Sequence, residues 1–204
     1  MTLSASDGKP SVEFWFEFGS TYSYLATMRI EDCAHAAGVT LAWRPFLLGP
    51  IFRSFGWDSS PFVLQEAKGL HMWRDMEREA ARLGLPFRRP SAFPRIALLP
   101  MRVATLGATE AWMGEYCRRV MRQNWVEDRE IDNEEAVRNA LAPLVPDPGG
   151  VIAAAQAPAN KLRLRANTEE ALARGIFGAP SFFVGDELFW GNDRLDAAIA
   201  LAAR

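Results

Sequence analysis

The chain has 204 residues, of which 49% are apolar and 24% charged, and these values indicate one globular domain, alone or with an insertion. Its 23 basic and 25 acidic residues nearly cancel, which argues against a nucleic-acid or membrane partner. No apolar run has the length of a membrane span, and the small, polar residues at 1–9 lack the apolar core of a signal peptide. We therefore expect a disordered tail at 1–9 and a cytoplasmic location.

The first structural signal is a strand that leads into a helix. Apolar and β-branched residues dominate Val12–Phe18, which is typical of a strand buried in a sheet. Gly19 ends the run, and Ser20 is a suitable N-cap for a helical pattern that continues to Gly38. This places the Ser20 hydroxyl at the positive end of a helix, where free backbone N–H groups favour an anion.

A second strand is predicted at Val39–Phe46, so that the chain opens with a βαβ unit and a parallel strand pair. Leu47–Pro61 is rich in Gly, Pro, Ser and aromatic residues, and we expect a long loop that lines a ligand crevice. Residues 85–100 contain four prolines and are expected to be irregular. Apolar residues recur with helical periodicity in the segment between this loop and residues 85–100, and again after residue 100. They predict helices at 64–83, 101–123, 133–141, 149–157 and 160–174.

The C-terminal part returns to strands. Ser181–Val184 and Glu187–Trp190 flank Gly185-Asp186, which suits a tight hairpin turn, and a final helix is expected at 193–203. The order of elements predicts an α/β protein with a thioredoxin-like fold and an inserted α-helical domain. The boundaries that we expect are 10–48 and 175–204 for the thioredoxin-like domain and 60–174 for the insertion.

The two cysteines, Cys33 and Cys117, lie far apart in the sequence and have no metal-type spacing. Each falls inside a helical pattern, so we interpret both as buried free thiols and predict no metal site. Free thiols fit a reducing cytoplasm.

Three motifs carry a family resemblance that extends from Glu13 to Ile199. They are Phe-Gly-Ser-Thr-Tyr-Ser-Tyr-Leu around Ser20, Gly-Ala-Pro-Ser at 178–181 and Trp-Gly-Asn-Asp-Arg at 190–194. Together they resemble the 2-hydroxychromene-2-carboxylate isomerases, which are grouped with kappa-class glutathione transferases in the disulfide-oxidoreductase branch of thioredoxin-like proteins. The resemblance implies glutathione as the cofactor and a small aromatic 2-oxo acid as the substrate.

Ser20 is the predicted catalytic residue. A dithiol oxidoreductase needs two cysteines at the helix start, and Ser20 and Ser23 hold those positions, which excludes disulfide exchange there. No Ser-His-Asp set is visible, so Ser20 is a poor nucleophile. Its hydroxyl can instead donate a hydrogen bond to a bound thiolate, which the resemblance implies is that of glutathione. The alternative is a plain N-cap.

The resemblance also implies the remaining site residues. We expect Ala179 and Pro180, joined by a cis peptide bond, to pair with the cysteinyl unit of glutathione, and Asn192 and Asp193 to bind its γ-glutamyl head unless they only cap a helix. The loop before Lys68 lacks the polar residue that is common in the family. The complete predicted set is Ser20, Lys68, Ala179, Pro180, Trp190, Gly191, Asn192, Asp193 and Arg194 for glutathione, with Phe52, Phe93 and Pro94 for the substrate pocket.

The sequence is compatible with three functions. The first is a glutathione-dependent cis–trans isomerase that acts by reversible thiol addition. The second is a kappa-like glutathione transferase or peroxidase, and the third is a non-catalytic thioredoxin-like binding protein. A homodimer is possible.

Overall fold

The structure is a computed structural model and describes residues 10–204; the tail predicted at 1–9 lies outside the described residues. Its sheet has four strands in the order β2-β1-β3-β4, where β1 is Ser11–Phe16, β2 is Thr40–Pro45, β3 is Ser181–Val184 and β4 is Glu187–Trp190. β1 and β2 are parallel, while β3 is antiparallel to both β1 and β4. The predicted βαβ unit and C-terminal hairpin therefore meet in one mixed sheet, as the thioredoxin-like interpretation requires.

Helices make up most of the rest of the chain. They are α1 Thr21–Thr27, α2 Ile30–Ala36, α3 Leu48–Ser54, α4 Pro61–Leu64, α5 Glu66–Arg82, α6 Leu98–Leu106, α7 Met113–Trp125, α8 Glu134–Leu141, α9 Pro148–Ala155, α10 Pro158–Ala173 and α11 Leu195–Ala202, with a 3₁₀ turn at Asn192–Arg194. α5 to α10 form the helical segment that interrupts the thioredoxin-like elements, so the predicted architecture is confirmed.

Strand β1 is buried on both faces, which explains its nearly continuous apolar sequence. Phe14 and Phe16 pack with Trp43 of β2 in the main core cluster, whereas Trp15 points to the opposite face and packs against Phe46 and Phe183. The sheet thus separates two apolar layers, and its central strand ends directly at the Gly19-Ser20 turn.

Three expectations about local structure were wrong. The helix predicted from Ser20 to Gly38 is two helices, α1 and α2, with a break at Met28-Arg29. The helix predicted at 101–123 is also divided, into α6 and α7, by a bend at residues 107–112. The predicted long loop after β2 contains the helix α3, whose Leu48 and Ile51 are buried in the smaller core cluster.

The turn after β1 is held against the helical segment by two hydrogen bonds to one backbone carbonyl. The side chains of Asn124 and Trp125, at the end of α7, both donate to the backbone oxygen of Phe18, at 3.1 Å each. Asn124 also accepts a 3.0 Å hydrogen bond from the buried guanidinium of Arg95. The turn that presents Ser20 is therefore held by α7 and by the proline-rich segment.

Candidate functional site

Ser20 caps α1 and is almost fully buried at the base of a cavity. Its Oγ accepts a 3.2 Å hydrogen bond from the backbone N–H of Ser23, as an N-cap should, and donates a 2.8 Å hydrogen bond to the carbonyl oxygen of Ala179. The side chain therefore joins the helix start to the loop before β3. A hydroxyl in this position can donate to a ligand only by turning away from Ala179, since it carries a single proton.

The loop before β3 lies beside Ser20 because of the sheet order. Residues 178–181 immediately precede β3, which pairs with β1, and the Ala179-Pro180 peptide bond is cis. The carbonyl of Pro180 accepts a 3.0 Å hydrogen bond from the N–H of Gly191, which fixes the loop against the end of β4. A side chain at Gly178 would have its Cβ only 2.5 Å from Trp190 Nε1, so glycine allows the indole to pack on this loop.

The cavity above Ser20 has a volume of about 450 Å³ and is lined mainly by apolar groups. Its walls come from the turn before α1, from α3 and the loop after it, from the segment around the cis Phe93-Pro94 bond and from the loop before β3. The size suits a ligand of the drug-like range, and apolar walls with few polar groups are typical of small-molecule sites.

The structure brings seven of the predicted site residues to this cavity. They are Ser20, Phe52, Lys68, Phe93, Pro94, Ala179 and Trp190. The Trp190 ring is half exposed and packs against Phe177 at a centroid distance of 4.9 Å, which extends the aromatic wall. Lys68 is exposed at the rim and makes no ion pair among residues 10–204.

The other predicted residues lie outside the cavity lining. These are Pro180, Gly191, Asn192, Asp193 and Arg194, and the last three form the 3₁₀ turn, which packs against α1. Asn192 is buried and its Oδ1 has no hydrogen-bond partner within the described part of the chain, while Asp193 is exposed and pairs with Arg194 at 3.5 Å.

Sequence reasoning missed several residues of the cavity. Trp57 and Phe177 belong to segments with no periodic pattern, so nothing in the sequence places them at the site. Glu17 lies within the first predicted strand, Val12–Phe18, where nothing in the sequence marks it as a site residue. Its carboxyl lines the cavity next to Ser20, and burial raises its pKa to about 8.

Arg95 holds the cavity wall formed by the Phe93-Pro94 segment. Its guanidinium donates to Asp128 Oδ1 at 2.6 Å, and Ser91 donates to the same carboxylate through its backbone N–H at 2.8 Å. These hydrogen bonds lower the pKa of Asp128 to about 2. Because Asp128 satisfies both groups, Arg95 is directed away from the cavity interior and supports its wall.

A family model for the DsbA-like thioredoxin domain matches residues 11–200. The chain belongs to the DsbA-like thioredoxin family. Within this family, 2-hydroxychromene-2-carboxylate isomerase from Sphingobium xenophagum is 30% identical over 193 residues, which cover 91% of this chain and 94% of that protein. Glutathione S-transferase kappa 2 from Caenorhabditis elegans is 26% identical and covers 90% of this chain and 88% of its own.

A solved structure of a 2-hydroxychromene-2-carboxylate isomerase matches the fold with a TM-score of 0.84 at 26% identity, over 94% of this chain and 93% of that one. The resemblance stated from the motifs is thereby confirmed. These similarities support an enzyme of the isomerase or kappa-transferase type.

Residues 10–204 contain neither a metal cluster nor a membrane-spanning helix. No cluster of three or more His, Cys, Asp or Glu side chains is arranged to hold a metal ion. Within the same residues, no helix has both the length and the apolar character needed to cross a membrane.

Proposed function

We propose that this protein is a glutathione-dependent cis–trans isomerase of an aromatic 2-oxo acid of the 2-hydroxychromene-2-carboxylate type. The observation that carries the proposal is the position of Ser20: a buried hydroxyl, bonded to the Ala179 carbonyl, at the base of an aromatic cavity. Bound glutathione would supply a thiolate that adds reversibly to a conjugated double bond, so that the bond is transiently single and can rotate.

Ser20 and Ala179 fit the cysteinyl part of such a cofactor as a pair. The Ala179 carbonyl now accepts from the Ser20 hydroxyl, and an amide N–H of a bound peptide can replace that donor. The exchange frees the Ser20 proton to point at a sulfur held above it. Both polar groups then keep a partner, which avoids the cost of about 1–3 kcal/mol for a buried group left unpaired.

Aromatic side chains orient the substrate in this proposal. Phe52 packs against Trp57, which also lines the cavity, at a centroid distance of 5.9 Å, and Phe93 packs edge-on against Trp73, which lies outside the lining, at 4.8 Å. A flat aromatic acid can lie between such faces, and offset or edge contacts between rings contribute about 0.5–1.5 kcal/mol each.

The experiment combines a substrate assay with a thiol count. We expect isomerisation of 2-hydroxychromene-2-carboxylate to need added glutathione and to leave its free thiol concentration unchanged. Conversion without any thiol would refute the cofactor assignment, and consumption of the thiol would refute the isomerase.

A kappa-like transferase is the second candidate, because the kappa-class protein from Caenorhabditis elegans matches nearly the whole chain. It predicts that glutathione is consumed with chlorodinitrobenzene at a rate that depends on Ser20. The same thiol count distinguishes the two functions, since only the transferase forms a stable conjugate.

A further inference from the structure

The least explained group in the cavity is the carboxyl of Glu17. Among the residues that the structure describes, its side chain makes no hydrogen bond and no ion pair, although the residue is only partly exposed. Glu13 of β1 differs, because it accepts a hydrogen bond from Trp15 Nε1 at 2.9 Å and pairs with Arg174. An unpaired carboxyl in an apolar cavity is costly for stability, so a role in function has to be considered.

Glu17 lies against the turn that presents Ser20. One of its carboxyl oxygens is 3.3 Å from the position that a Cβ on Gly19 would take, and the carbonyl of Arg95 is 2.9 Å from the same position. Glycine at position 19 therefore allows both the Arg95 carbonyl and the Glu17 carboxyl to pack closely against the turn before α1. Glu17 and Ser20 flank this glycine and line the same space.

Within the described part of the chain, residues 10–204, no cation forms an ion pair with Glu17. The charged or titratable groups on the surrounding elements are Tyr22 of α1, Arg53 of α3, Asp58 of the following loop, Lys68 of α5 and Arg95 of the proline-rich segment. None of them forms a hydrogen bond or ion pair with Glu17. Burial raises the pKa of Glu17 to about 8, which favours the neutral form of the carboxyl at pH 7.

We propose that Glu17 is the acid of the active site, which protonates the carbonyl oxygen of the 2-oxo acid while a thiolate adds to the conjugated double bond. This rests on the proposed function. The O–H bond of Glu17 breaks and an O–H bond forms on the substrate oxygen, which receives the electron pair displaced from the conjugated system. When the double bond re-forms, the proton returns to Glu17, so the cycle has no net proton or electron change.

A neutral carboxyl also explains how an anionic substrate is accepted here. The substrate carries its own carboxylate, and a charged Glu17 would repel it within a poorly solvated space. The protein can thus bind an aromatic 2-oxo acid below pH 8 and should bind it less well above that pH, when Glu17 ionises.

The first test is binding without turnover. The fluorescence of Trp57 and Trp190, which line the cavity, can report the Kd of phenylpyruvate in the absence of any thiol. We expect the Kd of the unmodified protein to rise about tenfold between pH 7 and pH 9, and that of Glu17→Gln to stay constant. Asp58→Asn removes an exposed carboxylate from the rim and should retain the rise.

The second test is kinetic. The Glu17→Gln side chain has nearly the same shape as glutamic acid but no acidic proton to donate. We therefore expect kcat to fall about 100-fold, the scale of general acid catalysis. The Kd for glutathione should change less than threefold, and Glu17→Asp should recover part of the rate.

A Glu17→Gln enzyme with kcat within threefold of the original overturns the proposal while leaving the isomerase function intact. An unmodified protein that shows no thiol-dependent isomerisation refutes the function itself. If Glu17→Gln does not fold, infrared titration of the unmodified protein still decides, because a carboxyl band that is ionised at pH 7 would exclude an acid at this position.

Discussion

Replacing Ser20 by alanine removes two hydrogen bonds at once, and the structure lets both be weighed. The N-cap bond to Ser23 is worth about 0.5–2 kcal/mol. The bond to Ala179 is buried, and its loss leaves a carbonyl without a donor at a cost of about 1–3 kcal/mol. Because one side chain makes both, we expect unfolding free energy to fall by about 2–3 kcal/mol, which chemical denaturation measures.

The effect of Ser20→Ala on turnover should be larger than its effect on stability. Loss of one donor to a charge that is held in a poorly solvated site costs about 10²–10³ in kcat. The assay is thiol-dependent isomerisation at saturating substrate, compared under conditions where both proteins are folded.

Ser23→Ala is a matched control for Ser20→Ala. Ser23 is buried one turn further along α1, and its hydroxyl has no hydrogen-bond partner within residues 10–204. Its replacement should therefore leave both stability and kcat nearly unchanged. The reasoning fails if Ser20→Ala retains a kcat within threefold of the original, or if the two variants lose the same stability.

Three other predictions follow from the described contacts. Replacing Cys33 and Cys117 by alanine should preserve kcat in a variant that still folds, because burial raises the pKa of both thiols; a loss would mean that the catalytic thiol belongs to the protein. The pKa of Asp128 is lowered to about 2 by Arg95, so its stabilising effect is complete above pH 4 and is lost as pH falls towards 2. Urea midpoints should show this acid-dependent loss in the unmodified protein and less of it in Asp128→Asn. Finally, γ-glutamylcysteine should bind within about tenfold of glutathione in calorimetry, whereas cysteinylglycine should fail, because an exposed ion pair of the glycine carboxylate with Lys68 is worth only about 0–1 kcal/mol; a hundredfold loss would reveal another anchor.

The parts of the fold that the sequence predicted well are those where local signals and burial agree. β1 has the apolar, β-branched pattern of a central strand, and its end coincides with Gly19 and a capping serine. The hairpin of β3 and β4 is equally explicit, since Gly185 supplies the positive φ that its turn needs.

Helix α3 shows why some helices could not be predicted from the sequence. Gly49 and Pro50 lie in its first turn and make the segment appear to be a loop. The helix forms because Leu48 and Ile51 are buried with Trp15 on the outer face of the sheet, a contact between segments more than thirty residues apart. The burial of Leu48 and Ile51 outweighs the weak helix propensity of the segment, and the local sequence pattern gives no sign of this burial.

The bend between α6 and α7 has a similar origin. Leu98–Trp125 is apolar on more than one face, so its periodicity continues through the break. At the bend, a Cβ on Gly107 would lie 2.0 Å from the ring of Trp112, and the indole thus occupies the space that a side chain would need. The sequence records the apolar residues but not the packing of Trp112 on the backbone.

Glu13 and Glu17 show that contacts between distant segments also determine the roles of residues near the site. Both interrupt the apolar run of the first strand at positions of equal parity, so alternation alone places them on the same face and assigns them the same role. Glu13 meets Arg174, which also packs over Trp15 and Phe183, and it becomes part of a structural cluster. Glu17 lies past the last paired residue of β1, where the chain turns and the cavity begins, and within residues 10–204 it forms no ion pair. The difference between a structural carboxylate and a candidate catalytic acid therefore depends on a contact with Arg174, a residue distant in the sequence, which Glu13 makes and Glu17 does not.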